Sequence, residues 1–576
     1  MSPITPRHFQ AGLERLTGWA DLLDAINVFP VADGDTGRNL VLSLAPLRML
    51  ADAPRHTARR LLLGARGNSG NIAARFFSGL LMADSLGALP KSVRQAAADA
   101  RKAIQRPRSG TMLSVFDTLA ASLPAAVQTA PAPDVRQLLD ALAQTVLDTP
   151  NHLTKLKQAG VVDAGALGIY LFFEGFFSPW LDSTRPIRPP QERFDGYLTV
   201  SASFTDPPET AWCIDAVVRL NTRQAEKQLR DSGDSLVLIS EDGLAKIHLH
   251  TPDPEKWRQT AAALGEVISF SGDDMQRQMA AFTPRRHPTA IHVLTDAAGS
   301  VTRADARRLG MTLLDSYICL NNRSLPETRV DAETLYAAMR AGQPVSTAQA
   351  SDYERHAGYQ SVLARWERVL YLCVGSVYTG NYRTVMAWKA RHDPDNRLTV
   401  IDTGTASGRL GLIATATARL AGDGAPDADT IIRFARRAVD RCDEYVFLDR
   451  LKYLAAGGRL SRSRAFFGDT FRVKPVIRPL ATGAEKVAAV KNRRAQLDFA
   501  LERLNALRSN PAGTMVMLEF SDNRQWVAET VRPAIDALLP GAEIILQPLS
   551  LTSGAHMGPG TWAVAFLPGA DDERKP

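Results

Sequence analysis

Along residues 1 to about 180, hydrophobic positions recur at three- and four-residue steps, which puts them on one face of an α-helix. Arg136–Leu147 shows the spacing clearly, and Ala, Leu and Arg dominate the region. An opening loop and three further polar, glycine-bearing segments interrupt the helices. The three are GARGNSGN (Gly64–Asn71), SGTM (Ser109–Met112) and AGVVDAGALG (Ala159–Gly168). The proline-rich run SPWLDSTRPIRPPQERFDG then lacks helix donors and stiffens the chain, which predicts a linker near 178–195. From Tyr197 to about Phe282 the pattern changes. WCIDAVVRL, SLVLIS and AKIHLHT read as strands, and Gln224–Ser232 and Pro254–Leu264 as helices, together a small α+β domain. From Thr289 the apolar strands AIHVLTD, RVLYLCV, RLTVIDT, GTMVMLEF and TWAVAFL alternate with helices such as Tyr382–Arg391 and Gly408–Leu420. That alternation predicts parallel sheets covered by helices, with ligands at the carboxyl ends of the strands. The expected fold is multidomain: an all-α domain over 1–180, an α+β middle domain over 196–283 and an α/β domain over 288–570. The tail DDERKP is expected to fray.

A chain of 576 residues is too long for one core, which agrees with that division. No apolar run is long enough to span a bilayer, and the N-terminus lacks the basic start and apolar core of a secretory signal. Cys213, Cys319, Cys373 and Cys442 are scattered, which is no disulfide framework and fits a reducing cytoplasm. The formal charge of +7 allows anionic partners, yet the basic residues are dispersed apart from Arg106–Arg108 and Lys491–Arg494. With no zinc-finger spacing and no aromatic RNA-binding signature, nucleic acid is excluded as a partner. A solvated basic surface is the favoured reading of the charge.

Candidate chemistry concentrates in the opening loop, NVFPVADGDTGRN (Asn27–Asn39). Gly34 and Gly37 allow a sharp turn that aims Asp33 and Asp35 at one point. Two close carboxylates repel unless a cation sits between them, and hard oxygen ligands suit Mg²⁺, which commonly also holds substrate phosphates. Gly67, Asn68, Ser69 and Gly70 offer successive backbone N–H groups at a helix entry, the way phosphate oxygens are held. Thr36, Asn39 and Thr111 add donors, and Asp163 is placed to bond a ribose or orient its loop. Each piece alone is most simply a turn; the ordered set is the signal.

Two further constellations stand out. His248 and His250 alternate on a strand and so share a face, and Cys213 lies on a second strand, a set that suits Zn²⁺. Spacing alone favours two exposed histidines and a buried cysteine. In the last domain, hydroxyls cluster directly after the strands in TDAAGS, STAQAS, VGSVYTGNY and VIDTGTASG, and later segments read LKYLAAGGRLS and GAHMGPG. Thr347, Ser376 and His556 are candidates to converge on one anionic group. Helix capping accounts equally well for most of these hydroxyls.

The motifs NVFPVADGDTGRN, GARGNSG, SGTM and AGVVDAGALG resemble, in order, those of the DhaL (DAK2) kinase domain, closest to FakA-like fatty acid kinases. The resemblance implies an eight-helix barrel with ATP at one mouth. It places Asn27, Asp33 and Asp35 on magnesium, and Thr36, Asn39, Asn68, Ser69, Thr111 and Met112 around ATP. Ala32 and Arg38 depart from the family's Pro and Thr; Arg38 is read as assisting the transferring phosphate. WCIDAVV with KIHLHT resembles the FakA middle domain, which implies Cys213, His248 and His250 as zinc ligands. The last domain resembles the DegV family, which includes the FakB fatty-acid carriers. That resemblance implies Thr347, Ser376 and His556 around the fatty acid carboxylate, with Arg459 at a docking or phosphate contact. Ala348, Ala350, Gly375, Tyr378 and Asn381 depart from the family's motifs.

Together these resemblances imply an ATP- and Mg²⁺-dependent fatty acid kinase, with its carrier on the same chain, that makes acyl phosphate and ADP for phospholipid synthesis. The expected partners are a fatty acid, a second copy of the chain and, transiently, an anionic membrane surface. The expected location is cytoplasmic, with peripheral contact at the inner membrane face. The alternatives are a dihydroxyacetone kinase-like enzyme acting on a small hydroxylated substrate and a non-enzymatic lipid-binding module. The first needs a general base for its alcohol. The second needs a degenerate nucleotide site, and the retention of Asp33, Asp35 and Gly67–Gly70 argues against it.

Overall fold

The computed structural model describes residues 4–50, 53–85, 87–123, 134–181, 188–206, 212–230, 234–276, 279, 289–321, 323–422, 427–456 and 473–569. The chain forms two compact units, Met1–Thr283 and Pro284–Pro576. The expected fraying of the C-terminal tail falls outside the described residues, as does Arg459.

The first unit begins with helices. Among the described residues of 6–177, eight helices are nine residues or longer. The last, Ala164–Phe177, is buried along its whole length apart from Glu174. A helix apolar on every side belongs at the centre of a bundle. Glu174 is tolerated there because it accepts from the Tyr170 hydroxyl at 2.8 Å and from Arg15 Nε at 2.8 Å. Glycines let the first helix, Pro6–Gly18, approach this centre: a Cβ on Gly175 would lie 2.4 Å from the Ala11 carbonyl oxygen. Phe76, Phe77, Phe116, Phe172 and Phe173 fill the remaining space, with Phe76 stacked on Phe116 at 3.8 Å.

The segment expected as a linker does not hang free where it is described. Residues 182–187 lie outside the described set, but 188–206 dock on the helices. Phe194 is buried against Tyr170, the Ser201 N–H donates to the Ala159 carbonyl at 2.8 Å, and Asp206 pairs with Lys155 at 2.7 Å. Prolines stiffen a chain without freeing it, and a buried ring, backbone hydrogen bonds and an ion pair fasten this one.

Four strands follow: β1 (Trp212–Leu220), β2 (Asp234–Glu241), β3 (Leu244–Thr251) and β4 (Gly265–Asp274). They form an antiparallel sheet ordered β2-β3-β1-β4, with helices Arg223–Arg230 and Pro254–Leu264 between strands in the chain. β4, GEVISFSGDD, escaped the sequence reading because it is half exposed and too polar to show a continuous apolar run. The sheet is fastened to the bundle. The Leu238 N–H donates to the Ala103 carbonyl, and Val237 and Ile239 join the helical core.

The second unit contains β5 (His292–Asp296), β6 (Thr312–Leu314), β7 (Tyr317–Leu320), β8 (Arg323–Pro326) and β9 (Val345–Ala348). Next come β10 (Val369–Cys373), β11 (Leu398–Asp402), β12 (Asp443–Phe447) and β13 (Lys474–Leu480). The last four are β14 (Gly483–Val490), β15 (Met515–Phe520), β16 (Glu543–Pro548) and β17 (Trp562–Leu567). The expected parallel sheet exists as β11-β10-β5-β6. A six-stranded sheet, β14-β13-β12-β17-β15-β16, is mixed instead: β17 runs antiparallel to both β12 and β15. An apolar run reports that a strand is buried, not which way it points. A third sheet, β8-β7-β9, is antiparallel and was not expected. Helix Ser407–Gly422 lines a core shared with β5, β15 and β17 through Leu410, Leu412 and Ile413.

The opening loop owes its position to one close approach. A Cβ on Gly37 would lie 2.0 Å from the Ala20 carbonyl oxygen. Gly37→Ala should therefore push helix Thr36–Leu44 away from Ala20 and cost about 1–3 kcal/mol, as overpacking does. A thermal melt followed by circular dichroism reads this; an unchanged midpoint would contradict the packing described.

Candidate active site

Gly34, at φ +66°, turns the opening loop so that Asp33 and Asp35 become hydrogen-bonding neighbours. Burial pushes the Asp33 carboxyl well above its ordinary value, and the charge of Asp35 adds to the rise. Asp35 is raised too, first by burial and then by the charge of Asp24. Such a pair retains a proton unless a cation replaces it. Asn27 donates from Nδ2 to Asp33 Oδ1 at 2.6 Å and so orients that carboxyl. Asp24 accepts the Arg38 backbone N–H at 3.0 Å, which leaves the exposed Arg38 side chain beside Asp35, whose rise its charge opposes.

The other three loops arrive at the same place. Thr36 Oγ1 lies 3.4 Å from Ser69 Oγ. Gly67, at φ +62°, is so close to Asn39 that a Cβ would sit 2.1 Å from its side-chain nitrogen. A Cβ on Gly165 would touch Met112, Asp163 and Ser69 together. Arg66 gives helix Gly67–Leu80 no side-chain cap, so the Asn68 and Ser69 amides of its first turn are open to a ligand. Thr111 and Asp163 serve as caps themselves. Thr111 accepts from the Leu113 N–H, and Asp163 accepts from the Ala166 N–H at 2.7 Å. Burial raises the Asp163 carboxyl to about 7.

The middle sheet supplies a second cluster. The register of β1 on β3 sets Cys213 opposite His250 and Asp215 opposite His248. Since alternate residues share a face, all four point the same way. One ligand atom each from Cys213, His248 and His250 lies within 4.8 Å of the others. His248 Nε2 is buried without a hydrogen-bond partner. Burial pushes His250 down to about 3, keeping the ring neutral as a metal requires. Burial, then the charge of Asp215, pushes the Cys213 thiol well up, and a bound cation would reverse that. These are the donor types that zinc takes, and the orphaned nitrogen fits one. Cys213 packs against Val31, two residues before Asp33, so the cluster abuts the opening loop.

Asp215 was missed in the sequence. The only signal was an acidic residue inside an apolar strand. Burial alone would raise its carboxyl, but Lys246 and His248 beside it hold it well below the usual range. It accepts from the Gly67 N–H and from Asn71 Nδ2, both at 2.9 Å.

In the second unit, Thr347 Oγ1 and His556 Nε2 lie 3.1 Å apart, while the Ser376 N–H donates to Asp402 instead. The Ser376 loop is set by buried Asp296, which accepts from Arg355, Tyr371, the Val374 N–H and Asn381 at 2.6–2.9 Å. Asn381 also accepts from Gln349 at 2.6 Å, so this departure from the DegV pattern is a structural tie between β9 and that loop. A cavity of about 620 Å³ in this unit is walled by Arg340, Asp449, Arg493 and Trp526. Its polar lining is not that of an acyl tunnel.

Family models divide the chain in three. Residues 30–178 match the DAK2 domain, 209–282 the middle domain of FakA-like fatty acid kinases, and 290–569 the DegV family, described as uncharacterised. The chain joins a DAK2, a FakA-like middle and a DegV domain. Protein YloV of Bacillus subtilis is 31% identical over 301 residues, covering 46% of this chain and 54% of that protein. The chain spans about half the length of the curated relatives it matches. Among solved structures, a DegV family protein from Thermus thermophilus titled for fatty acid binding shares 21% identity at a TM-score of 0.45. It covers 48% of this chain and 99% of its own. DegV of Bacillus subtilis, titled a fatty acid binding protein, shares 19% at 0.45, covering 49% and 99%. Among the described residues, no helix is long and apolar enough to cross a membrane.

His556 of the DegV domain rides on a short helix, Leu551–Met557, fastened at its start by Glu327, which accepts the Thr552 N–H at 3.0 Å. Burial raises the Glu327 carboxyl from near 4.5 to about 7. The acid form is thus favoured in the folded state, so its stabilisation is complete below the unfolded value and is lost as pH rises from about 4.5 to 7. Glu327→Gln should match the natural protein at pH 4 and exceed it at pH 8 by about 1–3 kcal/mol. Urea unfolding at the two pH values measures this; an equal offset at both would contradict it.

Proposed function

We propose that the protein is a fatty acid kinase that carries its own acyl-binding domain, phosphorylating the carboxylate with ATP to give acyl phosphate and ADP. The observation that supports this most is the convergence of four loops of the DAK2 domain on Asp33 and Asp35. An uncompensated carboxylate pair beside uncapped helix amides suits a metal–triphosphate ligand.

In this reading, amides of Asn68 and Ser69 hold phosphate oxygens, and Gly67 and Gly70 shape their loop by close approach to Asn39 and Ser43. Thr36, Asn39, Thr111 and Met112 line the nucleotide, and Asp163 sets the wall behind it. Asn27 orients Asp33, and Asp33 and Asp35 would hold Mg²⁺, which screens the phosphate charge when bound. Thr347 and His556, with Ser376 and Arg459, would present the fatty acid carboxylate. One carboxylate oxygen forms a bond to the γ-phosphorus, the bond from phosphorus to the β,γ-bridging oxygen breaks, and ADP leaves with that electron pair. Arg38 faces the transferring group. No base is required, because a carboxylate is already ionised at neutral pH. Carrying both domains on one chain raises the effective concentration of each for the other to about the millimolar range. Cys213, His248 and His250 would hold zinc in a role that needs no part in this chemistry.

Native mass spectrometry of the purified protein should show a copurifying fatty acid. A D33A/D35A variant should keep that ligand while fatty-acid-dependent ATP turnover falls by at least about a thousandfold. Turnover with dihydroxyacetone but not with fatty acid would overturn the reading, as would full turnover by the variant. Elemental analysis should find about one zinc per chain, lost in Cys213→Ser; absence of zinc from the natural protein would remove the metal assignment.

A further inference from the structure

We propose that Asp215 is a positioning residue through which the middle sheet sets the phosphate loop of the DAK2 domain. This rests on the reading of that loop as a nucleotide site.

Gly67 is gripped at both of its backbone polar groups. Its N–H donates to Asp215 Oδ2 at 2.9 Å, and its carbonyl accepts from Asn71 Nδ2 at 2.8 Å. Asn71 Nδ2 also donates to Asp215 Oδ1 at 2.9 Å, so acid and amide close around a single residue. Asn39 presses on Gly67 from another side, where no side chain fits. The left-handed turn that starts helix Gly67–Leu80 is thereby held from two domains. Asp215 takes the first amide of the helix and leaves those of Asn68 and Ser69 to a ligand, while the Gly70 N–H closes the first turn on the Arg66 carbonyl.

A carboxylate at that point would repel a triphosphate unless its charge were cancelled. Lys246 supplies the cancellation: its Nζ lies 3.2 Å from Asp215 Oδ1, and both side chains are buried. A second tie reinforces the first. Arg66, the residue before the turn, bonds Ser271 on β4, and Ser271 Oγ donates to the Asp215 carbonyl at 3.3 Å. The middle sheet thus holds the loop at two successive residues with no net charge added. Asp215 acts on the amides and not on the transferred group, so it governs nucleotide binding more than the chemical step.

The test uses the full chain. A D215L/K246M variant removes both charges and the acceptor for the Gly67 N–H together, so no buried ion is left unpaired. Two readouts are taken. Hydrogen exchange of the nucleotide-free protein should be faster at residues 66–71 in the variant and unchanged elsewhere in the helices. The KM for Mg–ATP should rise about ten- to hundredfold, the worth of a hydrogen bond to a charged group, with kcat changed by less than about threefold. The single variant K246M, which leaves the anion unscreened beside the phosphates, should raise KM further than the double variant. Equal exchange at 66–71, or a fall in kcat with KM unchanged, overturns the proposal. If the natural protein shows no ATP turnover, the nucleotide reading itself fails, and the exchange result then decides only whether Asp215 holds the loop.

Discussion

Like charges held close together in a water-poor place are unstable, and the first unit is arranged around one such pair. Burial and the charge of Asp35 push the Asp33 carboxyl well above its ordinary value, and Asp35 is raised too, so a cation between them would relieve both. Their neighbourhood is therefore built to tolerate an unstable group. Asn27 fixes one carboxyl, Asp24 ties down the backbone of Arg38, and Gly37 lets the whole helix entry press on Ala20. Those contacts rest on the buried helix Ala164–Phe177 and its phenylalanine layer.

Close approach through glycine is the recurring local device. Gly67, Gly165 and Gly175 each sit where a Cβ would collide with a neighbouring loop or helix. Gly67 and Gly165 bring loops far apart in the chain together, and Gly175 lets two helices touch. The second unit uses a different device. There a single buried carboxylate, Asp296, gathers Arg355, Tyr371, Asn381 and a backbone N–H, and so fixes the loop that carries Ser376. A buried charge demands several partners, and those partners define the geometry.

The middle sheet is more than a spacer between two functional domains. Val237 and Ile239 enter the helical core, Cys213 packs on Val31, and Asp215 reaches the glycine loop. Its buried Asp215 is paired within the sheet with Lys246. The sheet therefore fastens the glycine loop through a carboxylate whose charge is paired within the sheet.

Much of this was legible in the order of residues. The helical period of 136–147, the strand alternation of His248 and His250, and the spacing of Asp33 from Asp35 are local properties, because neighbours along a chain share a face by geometry alone. Other features could not be read that way. The antiparallel course of β17, the half-exposed β4 and the docking of Phe194 depend on which surfaces meet. Asp215 is the sharpest case: a lone acid in an apolar strand has no meaning until Gly67 and Asn71, some 150 residues earlier, are placed beside it. Local pattern decided what each segment would become and which groups could do chemistry. Only tertiary packing decided which of those groups share a site, since hydrogen bonds and charge pairs act through space and leave no period in the sequence.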